Sequence, residues 1–188
     1  PYCTVGARSG QFARQLARDG HADVRNGEVE LTIKIHEEAA QVLSRLHVKR
    51  AEGASASAPL LLDGEELELA GVKLDGKALS AESWAWAEED VLQIKGPEGR
   101  PLPAAFTVEC DVTVKPQENT QLSGLYKSSG VYCTQCEAEG FRRITYFQDR
   151  PDVMAKYLEV RLEADKAKYP LLLSNGNEVN KVMLHVCS

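Results

Sequence analysis

Three stretches of the chain alternate between apolar and polar residues. They are residues 29–36 (VELTIKIH), 42–50 (VLSRLHVKR) and 106–115 (FTVECDVTVK). A period of two places successive side chains on opposite faces of a strand, so each stretch predicts a β-strand with one buried face. Cys110 lies on the apolar phase of the third stretch, which predicts a core position. His36 and His47 lie on the polar phase, so we expect both imidazoles to face solvent.

Turn signals and further short apolar runs fill the rest of the chain. Asp-Gly pairs at 63–64 and 75–76 and an Asn-Gly pair at 175–176 supply the positive φ angles of tight turns. Many short strands with frequent turns are typical of an antiparallel β-sandwich or bent sheet. Pro151, with an acidic residue after it, predicts one short helix that runs to Tyr157. The pattern therefore predicts a mainly β protein with one short helix.

The first 25 residues do not share this pattern. They carry four arginines among small residues: Arg8, Arg14, Arg18 and Arg25. Residues 11–16 predict a short amphipathic helix. An Arg-rich, acid-poor start resembles the remains of an organelle-targeting peptide, and an unrelated leader explains it equally well.

Composition narrows the classes of function. The chain has 188 residues, of which 43% are hydrophobic and 27% charged, as expected for a globular domain. Its formal net charge of −6 argues against a nucleic-acid partner, since phosphate binding needs a dense basic face. Apolar runs such as 170–173 are far too short to span a bilayer. We therefore expect a soluble protein without a membrane span.

The cysteine count and the motifs narrow the classes further. The five cysteines form an odd, scattered set, which favours reduced thiols inside the cell over a secreted disulfide framework. The sequence contains no HExxH, GxxxxGK[ST] or GxGxxG motif. The local signatures of a metallopeptidase, a P-loop enzyme and a dinucleotide-binding protein are therefore absent.

Cys133 and Cys136 form a CxxC motif. A thioredoxin-type CxxC begins a helix in an alternating β/α layout, whereas the flanking residues here predict strands; this disfavours a small thiol oxidoreductase. A structural zinc site would need two further ligands of matching type, which leaves only an intermolecular site open. We favour two thiols on a loop or a strand edge, at least one of them packed.

Three polar side chains follow at intervals of two: Gln135, Glu137 and Glu139. On an extended backbone they would face the same way, and three acceptors on one face can hold a primary ammonium group with its three donors. The alternative is that the two glutamates are solvated strand residues that pair with Arg142 and Arg143. The sequence leaves both interpretations open.

A longer block carries a resemblance to a known family. Residues 124–177 (GLYKSSGVYCTQCEAEGFRRITYFQDRPDVMAKYLEVRLEADKAKYPLLLSNGN) closely resemble the N-terminal domain of bacterial-type aminopeptidase N, a zinc-dependent alanyl aminopeptidase of the gluzincin class. Two further segments look like the same family: residues 115–128 (KPQENTQLSGLYKS) and residues 58–69 (APLLLDGEELEL). The resemblance implies a saddle-shaped, mostly antiparallel β domain over residues 26–177, an unmatched leader or docking segment at 1–25 and an atypical tail at 178–188.

The resemblance also implies roles for two residues. In the family, the glutamate of a Gln-x-Glu-Ala segment grips the α-amino group of the substrate, and the glutamine lines the pocket for the first side chain. Here the matching positions are Gln135 and Glu137. The family gives Cys133 and Cys136 no role that transfers.

The family's zinc chemistry is not expected in this chain. The GxMEN loop and the HExxH zinc site belong to a separate catalytic domain, so we expect no cofactor and no activity here, with zinc confined to the full-length enzyme. The implied partners are that catalytic zinc domain, in cis or missing, and the N-terminus of a peptide. The alternative is an orphan β domain that serves as a binding or scaffold subunit of a larger assembly. Either would be intracellular, cytoplasmic or organellar.

Overall fold

The computed structural model describes residues 24–181, with the backbone alone for Arg25 and Asn26. These residues form eleven β-strands and two 3₁₀ helices. The strands are β1 (Val24–Ile35), β2 (Ala40–Arg50), β3 (Leu60–Asp63), β4 (Glu68–Leu74), β5 (Lys77–Ala78), β6 (Trp84–Glu88), β7 (Val91–Ile94), β8 (Ala105–Val114), β9 (Gly124–Ser128), β10 (Val131–Gln135) and β11 (Lys156–Ala164). The helices are η1 (Pro97–Gly99) and η2 (Phe141–Arg143). The prediction of a mainly β fold is confirmed.

The largest sheet has six strands in the order β11-β1-β2-β8-β4-β5. Its strand pairs are antiparallel except for β1 and β11, which run parallel. The expectation of antiparallel strands is therefore wrong for this pair. Alternation reports which side chains share a face, but it does not report the direction of a strand.

Two smaller sheets, β3-β7-β6 and β10-β9, complete the fold. One hydrophobic core joins side chains of all three sheets, including Leu46 of β2, Leu92 of β7 and Leu125 of β9. Cys110 is buried in this core, as predicted, and burial raises the pKa of its thiol to about 12. The buried face of the large sheet also carries Ser44, whose Oγ accepts a 2.8 Å hydrogen bond from Thr145 Oγ1.

The outer face of the large sheet carries a row of charges. Arg45 on β2 lies between Glu30 on β1 and Glu109 on β8. Its Nη1 is 3.3 Å from Glu30 Oε2, and its Nη2 is 3.0 Å from Glu109 Oε1. His47 Nε2 lies 2.8 Å from Glu30 Oε1, and 36% of the His47 side chain is exposed. His36, just after β1, is also exposed. Both histidines thus lie on the solvent side, as predicted, and His47 has a carboxylate partner.

The helix predicted from Pro151 to Tyr157 is wrong. Residues 151 and 152 form a turn, and Val153 N donates to the carbonyl of Arg150 at 3.1 Å. The chain then enters β11, which pairs with β1 over most of its length. A helix of two turns is marginal in water, and the nine-residue strand pairing outweighs it.

The prediction for residues 11–16 and the Arg-rich character of residues 1–23 lie outside the described residues. Residues 178–181 are exposed and have no regular secondary structure. From residue 24 to residue 181, no helix is long and apolar enough to cross a membrane.

Candidate functional site

The β9–β10 hairpin places Gln135 at the end of a strand. Gln135 pairs with Gly124 in the last step of the register, and β10 stops there. Residues 137–140 form a turn that leads into η2, hereafter the 137–140 turn. The Glu137–Ala138 peptide bond is cis, and Glu139 has a φ of 64°.

This turn overturns the expectation that Gln135, Glu137 and Glu139 share one strand face. Gln135 is the last strand residue, and the two glutamates lie on the turn instead. The extended backbone that would align the two carboxylates is therefore absent.

Gln135 and Glu137 nevertheless stay together. Gln135 Nε2 donates a 2.9 Å hydrogen bond to the main-chain carbonyl of Glu137. Both residues are exposed, and within residues 24–181 the Glu137 carboxylate makes no hydrogen bond and no ion pair. The turn thus presents one carboxylate to solvent with its acceptor oxygens unused.

Glu139 behaves differently, because its Oε1 lies 3.7 Å from Arg142 Nη2. Arg143 turns instead to Glu65 and Glu66, at 2.6 and 2.8 Å. The alternative in which both glutamates pair with the two arginines is therefore correct for Glu139 with Arg142 and wrong for Glu137.

Asp149 and Glu65 are elements of this site that sequence reasoning missed. Asp149 Oδ2 accepts hydrogen bonds from the Arg142 main-chain nitrogen at 3.0 Å and from its Nε at 3.4 Å. Burial raises the pKa of the Asp149 carboxyl even though the bonds from Arg142 oppose the shift. No periodicity in the sequence marks these two residues, since each meets Arg142 through the path of a loop.

Cys133 and Cys136 lie on either side of Gln135 in the sequence, and neither lies at the start of a helix. Cys133 lies on β10, Cys136 follows the strand, and the first helical residue is Phe141. Both cysteine side chains are partly exposed. The geometry thus differs from a CxxC at the head of a helix, where the N-terminus would stabilise a thiolate.

The described residues do not provide a metal site. Between residues 24 and 181, no three His, Cys, Asp or Glu side chains are grouped so as to hold a metal ion. A zinc ion of the kind that the resemblance implies does not fit the donor groups of this part of the chain.

Sequence comparison defines the class. The model of the peptidase M1 N-terminal domain matches residues 22–186, so the chain belongs to the peptidase M1 N-terminal domain family. The aminopeptidase N of Caulobacter vibrioides is 44% identical over 149 residues, which are 79% of this chain and 16% of that protein. The aminopeptidase N of Escherichia coli is 43% identical over 159 residues, which are 84% of this chain and 17% of that protein.

Solved structures agree with this assignment. The chain is similar to Legionella pneumophila aminopeptidase A in complex with aspartic acid, with a TM-score of 0.72, 32% identity, and coverage of 82% of this chain and 17% of that one. An M1 zinc metallopeptidase from Deinococcus radiodurans shares the fold, with a TM-score of 0.57, 16% identity, and coverage of 74% and 32%. The chain thus spans about one sixth of the curated relatives it matches and corresponds to an N-terminal domain of aminopeptidase N-like proteins. These relatives are bacterial, and the comparisons lend no support to an organelle-targeting role for the start of the chain.

Proposed function

We propose that this domain supplies the anchor for the substrate's free amino group in a zinc aminopeptidase whose catalytic domain lies in another part of the polypeptide. Glu137 accepts from the α-ammonium group of a peptide, and Gln135 lines the pocket for the first side chain. The domain binds and orients the peptide N-terminus, and hydrolysis belongs to the catalytic domain.

The observation that carries this proposal is the contrast between two glutamates on the same turn. Glu139 is held by Arg142 at 3.7 Å, whereas Glu137 is exposed and has no partner among residues 24–181. A carboxylate with unused acceptor sites on a braced turn suits a cation that arrives from outside the domain. A catalytic domain packed over the turn would exclude water and strengthen that contact.

The chemistry favours a free N-terminus over an internal peptide segment. An α-ammonium group offers three donors, and a carboxylate accepts charge-assisted hydrogen bonds worth about 1.5–3 kcal/mol. An internal peptide nitrogen has one donor and no charge, so it forfeits most of this energy. The thiols of Cys110 and Cys133, which form no disulfide, also support a reducing, intracellular setting.

A chimera tests the proposal. Residues 24–177 of this chain would replace the matching segment of Escherichia coli aminopeptidase N, which is 43% identical to it. Hydrolysis of an alanyl anilide would be measured for the parent chimera, for Glu137→Gln and for Glu139→Gln. The two variants remove the same charge from the same turn, and only Glu137 lacks an internal partner.

We expect Glu137→Gln to lower kcat/KM at least tenfold, or about 1.4 kcal/mol, because one charge-assisted contact is lost. Glu139→Gln should lower it by no more than about threefold, a surface-pair effect. An active chimera in which Glu137→Gln has no effect would refute the proposal and leave the scaffold interpretation.

A further inference from the structure

We infer that Arg142 is a positioning residue that fixes the 137–140 turn, and with it Glu137, against the body of the domain. The consequence for substrate binding rests on the proposed function above, whereas the fixing of the turn does not.

Arg142 contacts the 137–140 turn on one side and Asp149, which follows η2, on the other. On one side its Nη2 lies 3.7 Å from Glu139 Oε1, on the turn itself. On the other side the same Nη2 donates to the Asp149 carbonyl at 2.8 Å, and Nε and the main-chain nitrogen both donate to Asp149 Oδ2. One guanidinium therefore joins the turn to the segment that follows η2.

A second set of bonds joins this assembly to the β3–β4 loop. The main-chain nitrogen of Glu65 donates to the Arg142 carbonyl at 3.0 Å, and Glu65 Oε1 lies 3.8 Å from Arg142 Nη1. Asp149 N in turn donates to Asp63 Oδ2 at 3.0 Å. Because Asp63 belongs to β3, the turn is linked to a sheet of the core.

The geometry requires arginine rather than lysine at this position. The Arg142 side chain is only 16% exposed, and its planar fork addresses a main-chain carbonyl and three carboxylates, those of Glu65, Glu139 and Asp149, at once. A lysine ammonium is a single point donor group that cannot span these partners from one place. Arg142→Lys therefore keeps the charge and removes the fork.

Arg143 provides a matched control. It is 18% exposed and has two carboxylate partners, Glu65 and Glu66, but both lie on the β3–β4 loop. Replacement of Arg143 should weaken a similar number of ion pairs and leave the link from Arg142 to Glu139 intact.

Amide hydrogen exchange on the isolated chain tests the inference. Gly140 N donates to the Cys136 carbonyl at 2.9 Å across the turn, so its exchange rate reports turn opening. The main-chain amide of Leu46, whose side chain is fully buried on β2, reports global unfolding. We expect Arg142→Lys to raise exchange at Gly140 at least tenfold relative to Leu46. Arg143→Lys should change this ratio by less than twofold.

An unchanged ratio in Arg142→Lys, or an equal rise in Arg143→Lys, would overturn the inference. If Arg142→Lys does not fold, Glu139→Gln takes its place, because Glu139 is 55% exposed and its loss leaves the other contacts of Arg142 intact. That variant should raise the ratio at least threefold, and no rise would count equally against the inference.

Kinetics in the chimera then separate the two proposals. Arg142→Lys should raise KM at least fivefold and change kcat by less than twofold, and it should add little in the Glu137→Gln background. If Glu137→Gln alone has no effect while exchange at Gly140 rises in Arg142→Lys, the amine-anchor role fails and the positioning role stands. If exchange at Gly140 is unchanged, positioning fails whatever Glu137 does.

Discussion

The side-chain amide of Gln135 donates a 2.9 Å hydrogen bond to the main-chain carbonyl of Glu137. This bond crosses Cys136 and joins the last residue of β10 to the residue that we propose as amine anchor. The two positions that the family resemblance singles out are thus coupled through the backbone of one and the side chain of the other.

Replacement of Gln135 by alanine should remove that coupling together with the amide that we propose lines the pocket for the first side chain. We expect an unfolding free energy lower by about 0.5–1.5 kcal/mol, toward the small end because the bond is exposed. In the chimera, KM should rise, but less than for Glu137→Gln. Urea unfolding and anilide kinetics check both values. A larger KM effect for Gln135→Ala than for Glu137→Gln would contradict this ranking.

Gly140 closes the turn at a place where no side chain fits. A Cβ on Gly140 would lie 2.4 Å from the Gln135 carbonyl oxygen and 2.9 Å from the Cys136 Cα, and both are backbone atoms. We expect Gly140→Ala to lower the unfolding free energy by about 1–3 kcal/mol through this overpacking. Gly71→Ala is the control, since a Cβ there meets nothing within 4 Å. Equal urea midpoints for the two variants would show that the turn accommodates the added Cβ without a loss of stability.

The hydrogen bond between the buried hydroxyls of Ser44 and Thr145 should contribute measurably to the free energy of unfolding. Thr145 is fully buried and its hydroxyl donates to Ser44, which is 3% exposed. Thr145→Val keeps the shape and removes the partner of the Ser44 hydroxyl, at an expected cost of about 1–3 kcal/mol. The double variant with Ser44→Ala should recover part of this loss. Thermal or urea unfolding measures the cycle, and strict additivity would argue against the pair.

The pairing of His47 with Glu30 predicts that the stability of the folded domain depends on pH in the acidic range. The hydrogen bond from His47, followed by the charge of Arg45, holds the pKa of Glu30 below its ordinary value of 4.5. The pKa is depressed on folding, so the stabilisation is present above pH 4.5 and is lost as pH falls through the folded-state pKa. His47→Ala should move the NMR titration midpoint of the Glu30 carboxyl upward and reduce the loss of stability in acid. His36→Ala should change neither, and an unmoved midpoint in His47→Ala would contradict the pairing.

Alternation was enough to predict β1, β2 and β8 of the large sheet. It placed Cys110 on the buried face and His47 on the outer one, because a period of two directly encodes burial in a half-exposed strand. The helix-start signals at Pro151 gave a wrong prediction, because the pairing of β11 with β1 outweighs them. Local propensity does not include such tertiary partners.

The candidate site was predicted only in part. Gln135 and Glu137 were singled out, but the shared strand face was not real, since β10 ends at Gln135. The bracing of the turn by Arg142 and Asp149 could not be foreseen, because it depends on how the chain folds back between two residues that are seven positions apart. Such contacts leave no periodic signal in a sequence.

Two hydroxamates that differ only in the α-amino group test the central claim most directly. L-alanine hydroxamate and propionohydroxamate share the metal-binding group and the methyl side chain, so their inhibition constants in the chimera isolate the contribution of the amine. The account predicts that Glu137→Gln weakens L-alanine hydroxamate at least tenfold and propionohydroxamate less than twofold. Equal weakening of both compounds, or of neither, would contradict the role of Glu137 as the amine anchor.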